Sequence, residues 1–421
     1  MYTKAELAFI IKKMTPAQKA GQLFFLAFPG KDPAVIAPLI EKYGICGCYI
    51  SQDNAETFDE ASTITQKLQS MSEIPLLLGV DQEGSWGVLI PESNPGPGNL
   101  ALGATHDLQL VSDIYAMLGT EMLSVGYNAV LAPCSDVNSD PRSPIIGTRS
   151  FGEFTERVSA CVQAAVKGAT GAGVVTSVKH FPGHGATNGD THRVIPTVDR
   201  SLEELMRMDL VPFKAGIDAG VPIVMTSHIL FPQIDPDNPA TLSSKILNDV
   251  LRDKLGFKGV ILSDSMNMGA IRRVYDAAES TLLALKAGVD CLMLAEEHYD
   301  YNTGGYLEKQ LCSLELITHA IESGELPESD VDQKLMRILD LKYNHMQLRS
   351  ERLSEATYKS NIALAHKAAL QAICLVQSNL WPLPASGKVV CINATPRSSY
   401  ANIVNDRGIG QIGRASCRER V

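Results

Sequence analysis

Between residue 21 and about residue 311 the chain repeats one unit eight times, a short apolar run followed by a longer amphipathic stretch. The apolar runs cover 22–28, 45–50, 75–81, 129–133, 174–180, 222–228, 259–264 and 291–294. The amphipathic stretches cover 34–42, 56–71, 108–125, 153–170, 202–219, 243–255, 275–287 and 306–323. Eight strand–helix repeats predict an α/β fold of the (β/α)8, TIM-barrel type. Strands of such a barrel are buried on both faces, which accounts for runs that lack strict polar alternation. A further helix is expected over 330–348 and an Ala-rich one over 361–377. After Pro382-Leu383-Pro384, residues 388–393 read as the first strand of a second, truncated α/β domain. The expected division is therefore a catalytic barrel over 1–350, then a linker helix and the start of a C-terminal domain over 351–411. Residues 412–421 (IGRASCRERV) read as a translated sequencing adapter, outside any fold.

Ionisable residues gather at one place in this pattern. Asp81, Asp136, Lys179, His180, His228 and Asp264 each stand at or just past the C-terminal end of an apolar run. In a (β/α)8 barrel that end is the catalytic face. The segment Lys179-His180-Phe181-Pro182-Gly183-His184-Gly185-Ala186-Thr187-Asn188-Gly189-Asp190-Thr191-His192 adds three histidines, a lysine and an aspartate. An aspartate two residues before a histidine can orient and polarise the imidazole, so Asp190 and His192 form a candidate acid/base pair working near neutral pH. Gly183, Gly185 and Gly189 give that loop freedom to bend. The run 259–264 ends in Ser263-Asp264 before a helical stretch and presents a carboxylate at the barrel mouth. Such a carboxylate can attack an anomeric carbon and hold a covalent glycosyl-enzyme, or it can serve as a helix N-cap. A retaining mechanism needs nucleophile and acid/base about 5 Å apart across the scissile bond. Asp264 and His192 are the expected pair.

Other chemistries fit parts of this pattern. His180, His184, His192 and Asp190 could ligate zinc, although a Gly/Pro-interrupted loop does not put two histidines on one helix face. Lys179 at a strand end could form a Schiff base. An imidazole, unlike a carboxylate, does not repel phosphate, so a glycosyl phosphorylase could use the same pair. An inactive sugar-binding barrel is the alternative of another class. Residues 168–173 lack the Lys-Ser/Thr ending of a phosphate loop.

Composition narrows the field. A chain of 421 residues with 45% hydrophobic content can bury a large core, and its net charge of −10 argues against nucleic acid. Nine dispersed cysteines without a CxxC pair read as reduced thiols, and the N-terminus has no signal-peptide pattern. No apolar run reaches the ~18 residues of a membrane span. A cytoplasmic protein is expected, without membrane or nucleic-acid partners.

The motifs KHFPGHG…DTH, SDSMNM after the seventh run, and Gly79-Val80-Asp81-Gln82-Glu83-Gly84 after the third resemble the bacterial β-N-acetylglucosaminidases of glycoside hydrolase family 3. Residues 95–103, 147–152 and 225–228 resemble that family in the same order. The resemblance runs from about residue 15 to residue 372. It implies that Asp264 is the nucleophile, His192 the acid/base and Asp190 its orienting partner. It implies that Asp81, Arg149, Lys179 and His180 bind the N-acetylglucosamine, with no metal or other cofactor. The expected activity is a retaining exo-β-N-acetylglucosaminidase on peptidoglycan fragments, with a β-glucosidase on the same scaffold as an alternative. One departure concerns the sugar: family members carry an arginine after the Asp-x-Glu-Gly-Gly stretch, where this chain reads Ser85-Trp86-Gly87-Val88-Leu89-Ile90. Trp86 could offer a stacking face instead.

Overall fold

Eight short parallel strands build the centre of the molecule: β1 (Phe24–Leu26), β2 (Gly47–Tyr49), β3 (Leu77–Val80), β4 (Ala129–Val130), β5 (Val175–Phe181), β6 (Ile223–Thr226), β7 (Val260–Leu262) and β8 (Leu292–Leu294). The computed structural model describes residues 1–84, 90–143, 145–187, 189, 191, 195–295, 305–348 and 351–374. Strand order is sequential, with β8 beside β1. A parallel bridge between Leu262 and Cys291 joins β7 to the residue before β8 and closes the ring. Phe24 is in register with Leu292, Phe25 with Gly47, and Gly79 with Ala129. Every residue of these eight strands is buried, as expected for strands covered by helices outside and by one another's side chains inside.

Each of the eight expected apolar runs overlaps a strand, and each expected amphipathic stretch overlaps helix. The helices are Ala37–Tyr43, Phe58–Ser70, Leu108–Ser124, Thr155–Gly171, the pair Leu202–Arg207 and Leu210–Asp218, the π-helix Lys245–Lys254, Ala277–Ala287 and Tyr306–Glu322. Two N-terminal helices, Lys4–Lys13 and Pro16–Gly21, precede the repeat. Both begin with a capping box, Thr3 with Glu6 and Thr15 with Gln18, in which side chain and backbone satisfy each other's free groups. A two-stranded hairpin, Leu230–Phe231 with Asp235–Pro239, is inserted after β6.

The C-terminal helices seal the end where the strands begin. From Glu328–Asp340, Lys334 donates to the Val289 carbonyl at 2.9 Å, and Arg337 donates to Asp290 at 3.0 Å. Lys342 Nζ reaches Gln22 Oε1 at 2.9 Å just before β1. The helix expected over 361–377 is Glu355–Gln371 instead. Its first turn is too polar to show apolar periodicity, and the Ser354 side chain caps it by accepting from the Thr357 amide at 3.1 Å. Tyr358 and Asn361 hold this helix to the barrel, through the Glu92 carbonyl at 2.6 Å and Glu121 Oε1 at 2.7 Å. Pro382-Leu383-Pro384, the strand expected over 388–393 and the segment 412–421 lie outside the described residues. No helix among the described residues is long and apolar enough to cross a membrane.

Candidate active site

The ends of β3, β4 and β5 bring the four expected sugar-binding residues into one ionic network. Asp81 follows β3 directly and takes a hydrogen bond from Lys179 Nζ at 2.5 Å and from Tyr49 Oη at 2.9 Å. Arg149, in the long excursion after β4, and Lys179, within β5, converge on Glu83. Arg149 donates Nε to Glu83 Oε2 at 2.9 Å and Nη2 to Oε1 at 2.8 Å, while Lys179 Nζ lies 2.6 Å from Oε1. The bidentate geometry fixes the guanidinium plane. Burial opposes charge on Glu83, but Arg149 and Lys179 outweigh it and hold its pKa well below the carboxylate range. Burial likewise works against charge on Lys179 and Arg149, yet the carboxylates around them raise both. Asp81 is the more accessible carboxylate, its side chain 29% exposed against a buried Glu83. It is therefore placed to accept hydrogen bonds from neighbouring hydroxyls of a bound polyol.

His180 joins the same network from the other side. Its Nδ1 lies 2.8 Å from Asp136 Oδ2 and its Nε2 lies 3.2 Å from Arg149 Nη2. A carboxylate can only accept and a guanidinium can only donate, so Nδ1 carries the hydrogen and Nε2 is the acceptor. Asp136 is buried and also accepts from the backbone amides of His180 at 3.2 Å and His184 at 2.6 Å, and from Cys134 Sγ at 3.1 Å. Burial would raise its pKa, but the imidazoles and amides facing it lower it on balance. Cys134, Asp136 and His180 place thiol, carboxylate and imidazole donors within 4.8 Å of one another, a donor set that suits zinc. These atoms already satisfy one another. A cation bound there would displace the thiol hydrogen and turn the Nε2 hydrogen of His180 towards the Arg149 guanidinium. The donor set thus fits a metal by type and opposes one by its hydrogen-bond direction.

Asp264 stands two residues past β7 and is partly buried. Its Oδ1 accepts the Ser265 amide at 2.8 Å, and its own amide reaches Thr226 Oγ1 at 3.4 Å on the end of β6. Ser265 is fixed in turn by His228: Nε2 lies 2.9 Å from the Ser265 carbonyl, and Nδ1 lies 2.9 Å from Thr241 Oγ1. Helix Gly269–Arg272 begins five residues beyond Asp264. The carboxylate is thus not the N-cap of that helix, whose cap position is Met268.

Asp190 and His192 lie outside the described residues, as does Trp86. Thr191, between the two loop residues, is described and is buried. Its carbonyl accepts the Ala270 amide at 3.0 Å, so the loop after β5 docks on the segment that follows Asp264. The near part of the loop is held tightly. Gly185 is packed rather than bent: a Cβ there would sit 1.7 Å from the Val137 carbonyl oxygen. Its own carbonyl accepts the Asp140 amide at 3.1 Å. Gly183 has φ +136, a conformation that favours glycine, and a Cβ there would lie 2.9 Å from Asp209 Cβ.

The structure also brings in residues that received no role from the sequence. In the sequence Glu83 is only one residue of the motif over 79–84. Two buried cations facing the single carboxylate of Asp81 would have signalled a missing counter-charge, and Glu83 stands two positions further along the same strand end. Asp136 and His228 stand at the rim in the sequence pattern. Asp136 orients His180, and His228 holds the peptide that follows Asp264.

Residues 15–341 match the family described as "Glycosyl hydrolase family 3 N terminal domain". The chain is 32% identical over 334 residues to Beta-hexosaminidase A of Pseudoalteromonas piscicida, covering 74% of this chain and 55% of that protein. It thus spans about half the length of that relative. It is 30% identical over 347 residues to Beta-hexosaminidase LpqI of Mycobacterium tuberculosis (strain ATCC 25618 / H37Rv), covering 80% of this chain and 85% of that one. Among solved structures, a glycoside hydrolase family 3 β-N-acetylglucosaminidase from Paenibacillus sp. str. FPU-7 superposes with a TM-score of 0.78 at 33% identity. That match covers 85% of this chain and 69% of the Paenibacillus one.

Proposed function

The chain belongs to glycosyl hydrolase family 3, and from that premise we propose that it is a retaining exo-β-N-acetylglucosaminidase. Its substrates in this reading are terminal β-linked N-acetylglucosamine residues, for example on peptidoglycan fragments in the cytoplasm. Asp264 attacks the anomeric carbon and forms the glycosyl-enzyme. His192, oriented by Asp190, gives a proton to the leaving oxygen and then takes one from the incoming water. Asp81, Arg149, Lys179 and His180 bind the sugar. No metal takes part in any step.

One observation carries this reading. The half-buried carboxylate of Asp264 stands at the barrel mouth, and the loop bearing Asp190 and His192 is hydrogen-bonded through Thr191 to Ala270, six residues past it. The ionic network at the ends of β3, β4 and β5 supplies the polar floor that a sugar requires. The names of relatives, beta-hexosaminidase and β-N-acetylglucosaminidase, point to the same substrate.

The test is release of p-nitrophenol from the aryl N-acetyl-β-glucosaminide. Asp264→Ala should lower kcat by ~10⁴-fold or more, as loss of a nucleophile does. His192→Ala should lower turnover of poor leaving groups by ~10²-fold or more and spare activated ones. Wild-type turnover in Asp264→Ala would end the assignment. Product analysis with and without phosphate separates hydrolysis from phosphorolysis: a sugar 1-phosphate would replace this reading with a phosphorylase.

A further inference from the structure

We propose that His184 is a positioning residue that pins the loop carrying Asp190 and His192, through hydrogen bonds between its two ring nitrogens and the hydroxyls of Thr187 and Thr191. The proposal rests on the glycosidase reading for what the loop does, and on the geometry alone for the pin.

The ring of His184 is buried, with its nitrogens pointing to two different parts of one loop. Nδ1 lies 2.7 Å from Thr187 Oγ1, and Nε2 lies 3.3 Å from Thr191 Oγ1. Thr187 Oγ1 also donates to the His184 carbonyl at 2.9 Å, an atom that can only accept. The Thr187 hydrogen is thereby used. Nδ1 must then carry the ring hydrogen, and Nε2 accepts from the Thr191 hydroxyl. The two threonines bracket Asp190, and Thr191 directly precedes His192.

The residue is itself fixed. Its backbone amide donates to Asp136 Oδ1 at 2.6 Å, and its ring packs edge-to-face with that of His180, centroids 5.7 Å apart and planes at 74°. Thr191 continues the chain of contacts, because its carbonyl accepts the Ala270 amide at 3.0 Å. A continuous path therefore runs from Asp136 through His184 and Thr191 to the segment that follows Asp264. Burial, with the nearby His180 and Arg149 adding to it, pushes the pKa of His184 down to about 4. The ring keeps one donor and one acceptor across the neutral range, as both contacts require. A displacement of order 1 Å at a catalytic group can cost ~10²-fold in rate, so such a pin has kinetic weight.

The experiment uses His184→Phe, which keeps an aromatic ring without either hydrogen bond, His184→Gln, which keeps one donor and one acceptor, and Thr191→Val, which removes the Nε2 contact alone. Amide hydrogen exchange over residues 185–195 should quicken by ~10-fold in His184→Phe and Thr191→Val and stay near the parent in His184→Gln. In the same two variants, kcat/KM for phenyl N-acetyl-β-glucosaminide should fall by ~10²-fold, and that for the 2,4-dinitrophenyl glycoside by less than ~3-fold. Added azide, which attacks the anomeric carbon without a general base and releases Asp264, should restore kcat on the activated substrate. Inhibition by free N-acetylglucosamine should be unchanged in Thr191→Val, which alters no contact of the β3–β5 network. Unchanged exchange in both His184→Phe and Thr191→Val overturns the pin. Faster exchange with equal losses on the two aryl glycosides leaves the pin standing and overturns the acid/base reading of the loop. Should His184→Phe not fold, Thr191→Val carries both readouts alone.

Discussion

At the residue scale, burial sets the charge state of His184 behind the site, and this has a consequence for stability. The His184 imidazole, near pKa 6.5 in an unfolded chain, is held down to about 4 in the fold by burial and by the neighbouring His180. Its folded form binds a proton less readily than its unfolded form. Between those two values the unfolded chain takes up the proton and the native one does not, so stability falls as pH falls. The contribution is complete above the unfolded pKa and is lost on passing down through about 4. The shift corresponds to roughly 3 kcal/mol. Urea unfolding at pH 7 and pH 4.5 should show His184→Gln losing ~2 kcal/mol less than the parent over that interval. An equal pH dependence in the two proteins would show that the ring is not held neutral. Glu83 adds a pH dependence of the same sign for the opposite reason: its depressed pKa keeps it charged in the fold, so its support is present above the ordinary carboxylate range and fades as pH drops below it.

At the scale of elements, the strands are short, and much of the site lies in the connections that leave them. β4 has only two residues, but the excursion after it delivers Asp136 and Arg149 and packs against the loop after β5. At Gly185 the two connections touch closely, with no room for a methyl group beside the Val137 carbonyl. Gly185→Ala should therefore destabilise by ~1–3 kcal/mol through overpacking and disturb the loop that follows. Gly171, the last residue of Thr155–Gly171, meets nothing within 4 Å of an added Cβ. Gly171→Ala should instead be neutral or stabilising, by ~0.4–1 kcal/mol, through a stiffer unfolded chain. Thermal unfolding of the two variants side by side checks both. Similar losses in both would mean that close approach is not what Gly185 provides. The glycines of this loop looked like hinges in the sequence, and for Gly185 the tertiary contact gives another reason for the residue.

On the scale of the whole molecule, the two ends of the barrel divide the work. The strand-start end is closed by C-terminal helices and by a buried charge cluster on Asp290, while the strand-finish end carries the ionisable network. Asp290 is fully buried and accepts from Arg337 at 3.0 Å, from the Ile261 amide at 2.8 Å and from Arg252. It ties β7 and β8 to the helices Lys245–Lys254 and Glu328–Asp340. Asp290→Ala would leave Arg252 without its carboxylate and should cost ~3–5 kcal/mol in denaturant unfolding, with the site's chemistry intact in the protein that remains folded. A loss below ~1 kcal/mol would show that water replaces the carboxylate there.

The order of strands and helices was legible in the residues because burial imposes it locally: each strand needs a run of apolar side chains and each helix an apolar stripe, within a few neighbours along the chain. The rim positions of Asp81, Lys179, His180 and Asp264 followed from the same rhythm. The start of helix Glu355–Gln371 did not, because a side-chain cap rather than apolar periodicity defines it. Nor did the pairing of Glu83 with Arg149, 66 residues away, or of Lys179 with Asp81, 98 residues away. Such contacts leave no periodic trace. They form only when a closed ring sets the ends of β3, β4 and β5 side by side, and it is the burial of their charges there that makes each side chain depend on the others.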